Sequence, residues 1–252
     1  MKAMIFAAGM GTRLKPFTLE HPKALVPVCG KPMLQRVLEN LRDAGVADIV
    51  VNVHHFARQI VDFLDANGNF GLDIKISDES DSLLDTGGGL LKARELLLGR
   101  DSDEPILLHN ADILTDVPVD MMLAVHKREA ADVTLLCSHR QSSRTLYFDK
   151  TANRLAGWQN LANGEVRPEG FNPGEIHDPS PFGGVHIVSP SVFPLLEEYA
   201  GGEIKPFSIV PFYLTMLNRL GIHRFMLPEG CRWFDVGSSE KLSMAENAFC
   251  GA

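Results

Sequence analysis

The chain has 252 residues, a formal charge of −8, and 45% hydrophobic residues. That apolar share supports a sizeable core and excludes a disordered chain. The acidic balance, with no compensating basic stretch, excludes nucleic acid and anionic membrane surfaces as partners.

The opening apolar run is broken at once by Gly9 and Gly11, too short for a signal peptide. No stretch approaches the roughly 18 apolar residues of a membrane-spanning helix. Cys29, Cys137, Cys231 and Cys250 lie far apart without C-x-x-C spacing. This argues against a zinc site or redox pair and for a reducing, cytoplasmic setting. Cys29, beside Gly30, reads as inert packing.

In chain order, residues 4–8 predict a buried strand. Residues 31–44 predict a helix, with Pro32 in its first turn, Leu34, Val37, Leu38 and Leu41 at helical spacing, and Gly45 ending it. A β-branched strand follows at 49–53, an amphipathic helix at 55–67 and a short strand at 72–76. A helix at 89–98 is entered through a glycine run. Residues 105–109 form a strand ending at Asn110-Ala111-Asp112, then a helix at 121–130 and a strand at 133–137. Residues 140–182 are polar and rich in Gly, Pro and Asn. They predict a hairpin, with strands at 145–148 and 155–158, followed by a long loop suited to a substrate lid. A strand at 184–188 precedes a helix at 206–220 whose start Pro211 breaks. Strands at 222–227 and 232–236 lead to a closing helix at 238–249, capped by Ser238 or Ser239.

This β-α-β-α order predicts an α/β fold: a three-layer, mostly parallel Rossmann-like sheet with a small β-rich substrate lobe. Ligands of such sheets bind beyond the carboxyl ends of the strands. The glycine loop at 9–13 and Asp112 both follow strands, so one crevice can hold both.

The loop does not supply a Walker A pattern, and Leu14 stands where a dinucleotide fingerprint needs its third glycine. Two readings remain. The glycines serve a turn that needs their backbone freedom, or successive N–H groups form an anion-binding concavity. Arg13 offers a planar fork for phosphate oxygens and Lys23 a point charge. Each cation alone also reads as a solvated surface residue. Asp112 and Asp235, taken alone, read as a cap and a turn residue. His54 and His55 read as loop histidines.

The stretch AAGMGTRLKPFTLEHPKALVPV resembles the N-terminal signature of the sugar-1-phosphate nucleotidylyltransferases, G-x-G-T-R-L followed by P-K-x-L-x-P. GKPM at 30–33, DTGGGL at 85–90, HNADIL at 109–114 and WFDVGSSEKL at 233–242 extend the resemblance over most of the chain. Ala24 stands where proline is common in the family. The T-G-G-G form and the short C-terminus resemble the uridylyltransferases that act on N-acetylmuramic acid 1-phosphate in cell-wall recycling. No hexapeptide repeats follow, so an acetyltransferase half is absent.

The resemblance implies a cytoplasmic, Mg²⁺-dependent enzyme that takes a nucleoside triphosphate and a sugar 1-phosphate, as a monomer or homodimer. Residues 1–139 then form mainly the nucleotide-binding half of one domain, and residues 140–252 the sugar-binding half. Arg13 meets the β,γ-phosphates and Lys23 the α- or sugar phosphate, both as catalytic residues. Ala7, Ala8, Gly9, Gly11 and Thr12 cradle the triphosphate. Asp85, Gly87 and Gly88 approach the base, and Asn110 the ribose or a phosphate. Asp112 and Asp235 hold Mg²⁺, which uses carboxylates together with substrate phosphates.

For the sugar, Trp158 reads as a stacking platform or a core aromatic, and Asn160 as a hydroxyl or acetamido partner or a turn residue. Arg144 reads as a phosphate ligand or a surface charge. Gly183 and Gly184 would permit close approach of the sugar. The family's Glu-Lys pair for the sugar phosphate does not appear. Mannose or glucose 1-phosphate, or choline phosphate, are alternative acceptors. A non-catalytic nucleotide-sugar sensor is the alternative of a different class.

Overall fold

The computed structural model describes residues 1–99, 103–174 and 176–250. The first half supplies β1 (Lys2–Phe6), a small hairpin of β2 (Pro27–Val28) and β3 (Lys31–Pro32), α1 (Met33–Asp43), β4 (Asp48–Val53), α2 (Ala57–Ala66), β5 (Asp73–Asp78), α3 (Asp85–Lys92), α4 (Arg94–Leu98), β6 (Ile106–Asn110), β7 (Ile113–Thr115), α5 (Val119–Arg128) and β8 (Val133–Cys137). The second half adds β9 (Arg144–Asp149), β10 (Leu155–Asn160), β11 (Val166–Arg167), β12 (His177–Ser180), β13 (Phe182–Val188), α6 (Val192–Ala200), α7 (Ile209–Thr215), β14 (Ile222–Met226), β15 (Trp233–Asp235) and α8 (Ser239–Cys250).

Seven strands form the central sheet in the order β14-β8-β13-β6-β1-β4-β5. Only β13 runs antiparallel to its neighbours; the other pairings are parallel. Both faces are buried, as parallel sheets require. Side chains alternate between two cores: Ala3, Ile5, Ile49 and Val51 pack with α1, α2, α5 and α8, while Met4 and Val50 pack with α3, α4, α6 and α7. The expected three-layer, mostly parallel α/β fold is what forms.

Several elements differ from expectation, among them the short strands β2, β3 and β7. The glycine run is not an entry to a helix but lies inside α3, because two of its glycines press against a neighbouring segment. Residues 140–182 are not a hairpin and a loose loop. They form a four-stranded antiparallel sheet, β11-β10-β9-β12, pinned to the second core by Leu146, Phe148 and Leu155; Glu175 of this stretch lies outside the described residues. Helix α6 went unpredicted, although Val192, Phe193 and Leu196 sit at helical spacing and are buried. Helix α7 is shorter than expected, with Pro211 tolerated in its first turn.

Cys29 is also not inert packing. It forms a disulfide with Cys250, the last residue of α8. The two are separated by 221 residues in sequence, so their spacing could not pair them; only the docking of α8 beside the β2–β3 turn does. Among the described residues no helix is long and apolar enough to cross a membrane.

Candidate active site

Strand β1 delivers the chain to the glycine loop. The N–H groups of Ala7 and Ala8 donate to Asn52 Oδ1 at 2.7 and 3.3 Å. Asn52 Nδ2 in turn donates to Glu79 Oε1 at 2.7 Å, and Glu79 Oε2 accepts from the Leu84 N–H at 3.0 Å. Glu79 is fully buried. A buried polar chain thus ties the first glycine loop to the start of α3. Ala7 and Ala8 spend their amides on it, so the donors left for phosphate begin at Gly9. Gly11 has φ +61°, and a Cβ there would meet Lys23 Cβ at 2.8 Å and Thr18 Cγ2 at 2.9 Å. Glycine is required because the Lys23 segment lies directly against the loop.

Asp112 follows β6, and Asp235 ends β15. Strand β15 pairs antiparallel with β7, placing Asp235 opposite Ile113, and the Val236 N–H donates to the Asp112 carbonyl at 2.8 Å. The two aspartates therefore neighbour each other across a ladder. Lys23 is ion-paired to Asp112 Oδ2 and Lys241 to Asp235 Oδ2. Arg13 joins them: a Cβ on Gly237 would fall 2.7 Å from Asp235 Oδ1 and 3.0 Å from Arg13 Nη2. Two hard carboxylates, each already holding a cationic side chain, fit a Mg²⁺ that completes its shell with substrate phosphates.

Two cavities meet here. The first, about 440 Å³, is lined by Ala7, Ala8, Gly9, Lys23, Asn52, Glu79, Asp85, Asn110 and Asp112, among others. The second, about 990 Å³, is lined by Arg13, Arg140, Arg144, Trp158, Asn160, Arg167, Asp235 and Lys241, among others. Asp85, at φ +56°, borders both. Trp158, Asn160 and Arg144 reach the second cavity from the small sheet. Asn160 also turns the chain, since its Oδ1 accepts from the Ala162 N–H at 3.0 Å.

Six expected residues line neither cavity: Gly11, Thr12, Gly87, Gly88, Gly183 and Gly184. Gly87 and Gly88 are buried, and a Cβ would strike the Phe207 ring at 2.3 Å and the Lys205 carbonyl at 2.2 Å respectively. The close approach they permit here is to protein. Gly183 and Gly184 are buried too. A Cβ on Gly184 would lie 2.8 Å from Ile113 and 3.0 Å from Asn110 Nδ2, so this glycine makes room for Asn110.

The sequence reading missed Asn52, Glu79, Arg140, Arg167 and Lys241. Asn52 carried a signal, as a lone polar residue in a β-branched strand. Arg140 stacks over Trp233 at 4.4 Å and donates to the Phe182 carbonyl at 2.7 Å. Burial lowers its pKa, and the charge of Asp235 opposes that. Beside Asp112, His109 is held neutral by burial, its pKa down at about 4. His54 Nδ1 donates to the Glu79 carbonyl, 2.7 Å away, as a loop histidine.

Fold and site together define an α/β protein that gathers a glycine loop, cationic side chains and two aspartates at or beyond the ends of β1, β6 and β15. The family model described as Nucleotidyl transferase matches residues 2–148. The N-acetylmuramate alpha-1-phosphate uridylyltransferase of Caulobacter vibrioides is 35% identical over 97% of this chain and 95% of its own length. The protein of the same description from Neisseria meningitidis is 34% identical over 100% of this chain and 99% of its own. The mannose-1-phosphate guanylyltransferase catalytic subunit beta of Danio rerio is 38% identical, over 94% of this chain but 61% of its own length. Among solved structures, an apo UDP-glucose pyrophosphorylase has a TM-score of 0.76 at 20% identity, covering 100% of this chain and 98% of that one. The chain belongs to the nucleotidyl transferase family.

Proposed function

We propose that the protein transfers UMP from UTP to N-acetylmuramic acid 1-phosphate, releasing pyrophosphate. The observation that carries this is the placing of Asp112 beside the β7–β15 ladder that holds Asp235, where the two cavities adjoin. The two uridylyltransferase relatives match over 95% and 99% of their length, which supports UTP and this sugar.

A phosphate oxygen of the sugar attacks the α-phosphorus of UTP in line. The bond to the β-phosphate bridging oxygen breaks, and pyrophosphate leaves with its electron pair. The nucleophile is already an anion, so no strong base is needed; the difficulty is bringing two anions together. Arg13 binds the β,γ-phosphates and meets the charge that develops on pyrophosphate. Lys23 leaves Asp112 for the α- or sugar phosphate. The amides from Gly9 onward orient the triphosphate. Asp85 borders the base, with Gly87 and Gly88 seating α3 against Phe207 and Lys205 behind it, and Asn110 meets the ribose or a phosphate. Asp112 and Asp235 would hold Mg²⁺, which supplies charge neutralisation at the transferred phosphoryl group.

Residues 1–139 contribute chiefly to the nucleotide side, and residues 140–252 chiefly to the sugar side. UTP is a cytoplasmic nucleotide, so the reaction belongs in the cytoplasm, in peptidoglycan recycling. The test is pyrophosphate release with Mg²⁺ across four nucleoside triphosphates and several sugar 1-phosphates. Release confined to UTP with N-acetylmuramic acid 1-phosphate is expected. Release with GTP and mannose 1-phosphate instead would replace the substrates, and no release while UTP still binds would favour a sensor.

A further inference from the structure

The face that the small sheet turns toward the larger cavity can be read from its register. Trp158 stands opposite Leu146 on one side and Arg167 on the other, and Asn160 stands opposite Arg144. Cross-strand partners share a face, as do residues two apart on one strand. Arg144, Leu146, Trp158, Asn160 and Arg167 therefore form one surface, and all five line the cavity. An aromatic ring flanked by an amide and guanidinium groups suits a sugar that carries an anion of its own.

The cations of this cavity are not equivalent. Lys241 is occupied by Asp235. Arg167 binds Glu165 Oε1 through Nε at 3.0 Å and Nη2 at 2.7 Å. Arg13 lies beside Asp235, and Arg140 is fixed by Trp233 and the Phe182 carbonyl. Among the described residues, no carboxylate pairs with the Arg144 side chain. Its backbone is nevertheless held, because Ser142 Oγ accepts from the Arg144 N–H at 3.2 Å and donates to its carbonyl at 2.8 Å. The sugar's reacting phosphate must lie near Asp112 and Asp235, where Arg13, Lys23 and Lys241 stand. Arg144, on the lobe, is left for a different anion.

We propose that Arg144 binds a carboxylate on the sugar itself, so that the lobe selects hexosamine 1-phosphates bearing an acidic ether substituent. This rests on the reading of the protein as a sugar-1-phosphate uridylyltransferase. N-acetylmuramic acid 1-phosphate differs from N-acetylglucosamine 1-phosphate only by such a group, a lactyl ether at position 3. A guanidinium can meet its carboxylate with two parallel N–H donors.

The experiment compares these two sugars in the wild type, Arg144→Ala and Arg144→Lys, by kcat/KM at saturating UTP and by calorimetric binding of each sugar phosphate. The wild type is expected to favour the acidic sugar by about 10- to 100-fold. Arg144→Ala should lose that preference by raising KM for the acidic sugar alone, with kcat and the Tm little changed. Arg144→Lys should keep part of it. An equal fall on both sugars would assign Arg144 to the shared phosphate and overturn the proposal, as would an unaltered preference. If no sugar is turned over, the uridylyl-transfer reading falls, and the calorimetric comparison still decides Arg144.

Discussion

Asp112 and Asp235 come from opposite halves of the chain, yet the backbone joins them. The residue after each one takes part: Ile113 pairs with Asp235, and the Val236 N–H reaches the Asp112 carbonyl at 2.8 Å. The pair is thus positioned by main-chain bonds, which a side-chain substitution leaves intact.

Asp112→Asn and Asp235→Asn should therefore stay folded while losing cation binding. Turnover is expected to fall by about 10²-fold or more in each. Mn²⁺ binding, followed by electron paramagnetic resonance with circular dichroism as the folding control, separates the two effects. Retention of tight Mn²⁺ binding in both variants would sink the metal assignment.

Lys241 competes for the carboxylate that a metal would use. Lys241→Ala should tighten Mn²⁺ binding to the nucleotide-free protein by roughly two- to five-fold, the scale of an exposed ion pair. Weaker binding would mean that Lys241 orients Asp235 rather than blocking it.

Asn52→Ala removes the acceptor for two loop amides and a donor to the buried Glu79 carboxylate. The expected loss is about 2 kcal/mol or more of stability. KM for the nucleotide should rise more than KM for the sugar, because the affected loop lines the smaller cavity. Urea unfolding and steady-state kinetics give both quantities.

Acid sensitivity should follow from buried histidines. Burial lowers the pKa of His186 to about 3 and that of His126 to about 4, against an ordinary value of 6.5. Below pH 6.5 the unfolded chain binds protons that the folded protein refuses. Stability is therefore lost as pH falls from 6.5 toward the folded values, by roughly 1.4 kcal/mol per pH unit for each such group. Neither ring nitrogen of His186 has a partner among the described residues. His186→Phe should then hold its Tm at pH 7 and lose less than the wild type at pH 5; equal losses would clear His186 of the effect.

Thiol titration checks the disulfide. Cys137 is buried and Cys231 partly exposed. Native protein without reductant should show one reactive thiol, Cys231, and reduced protein should add Cys29 and Cys250. Three reactive thiols before reduction would show that the bridge does not form, as a reducing cytoplasm favours.

Legibility in the sequence followed the range of the interactions. The first strands and helices were readable because their periodicity is local, as with Leu34, Val37, Leu38 and Leu41 of α1. The small sheet was half hidden, since β11 and β12 are short and polar and exist only by pairing with β10 and β9. Asn52 on β4 and Glu79 just past the end of β5 act through each other, so neither announces a role alone.

The sequence alone determined the alternating α/β order, and it carried the glycine loop, Arg13 and Lys23 within one short stretch. The tertiary structure decided which distant groups meet. Strand β15 brings Asp235 to Asp112, Lys23 and Lys241 claim one aspartate each, and the small sheet turns Arg144, Trp158 and Asn160 to one face. Local patterning fixes which backbone a segment prefers, but side chains far apart along the chain become neighbours only when sheet pairing and core burial offset the entropy of bringing them together.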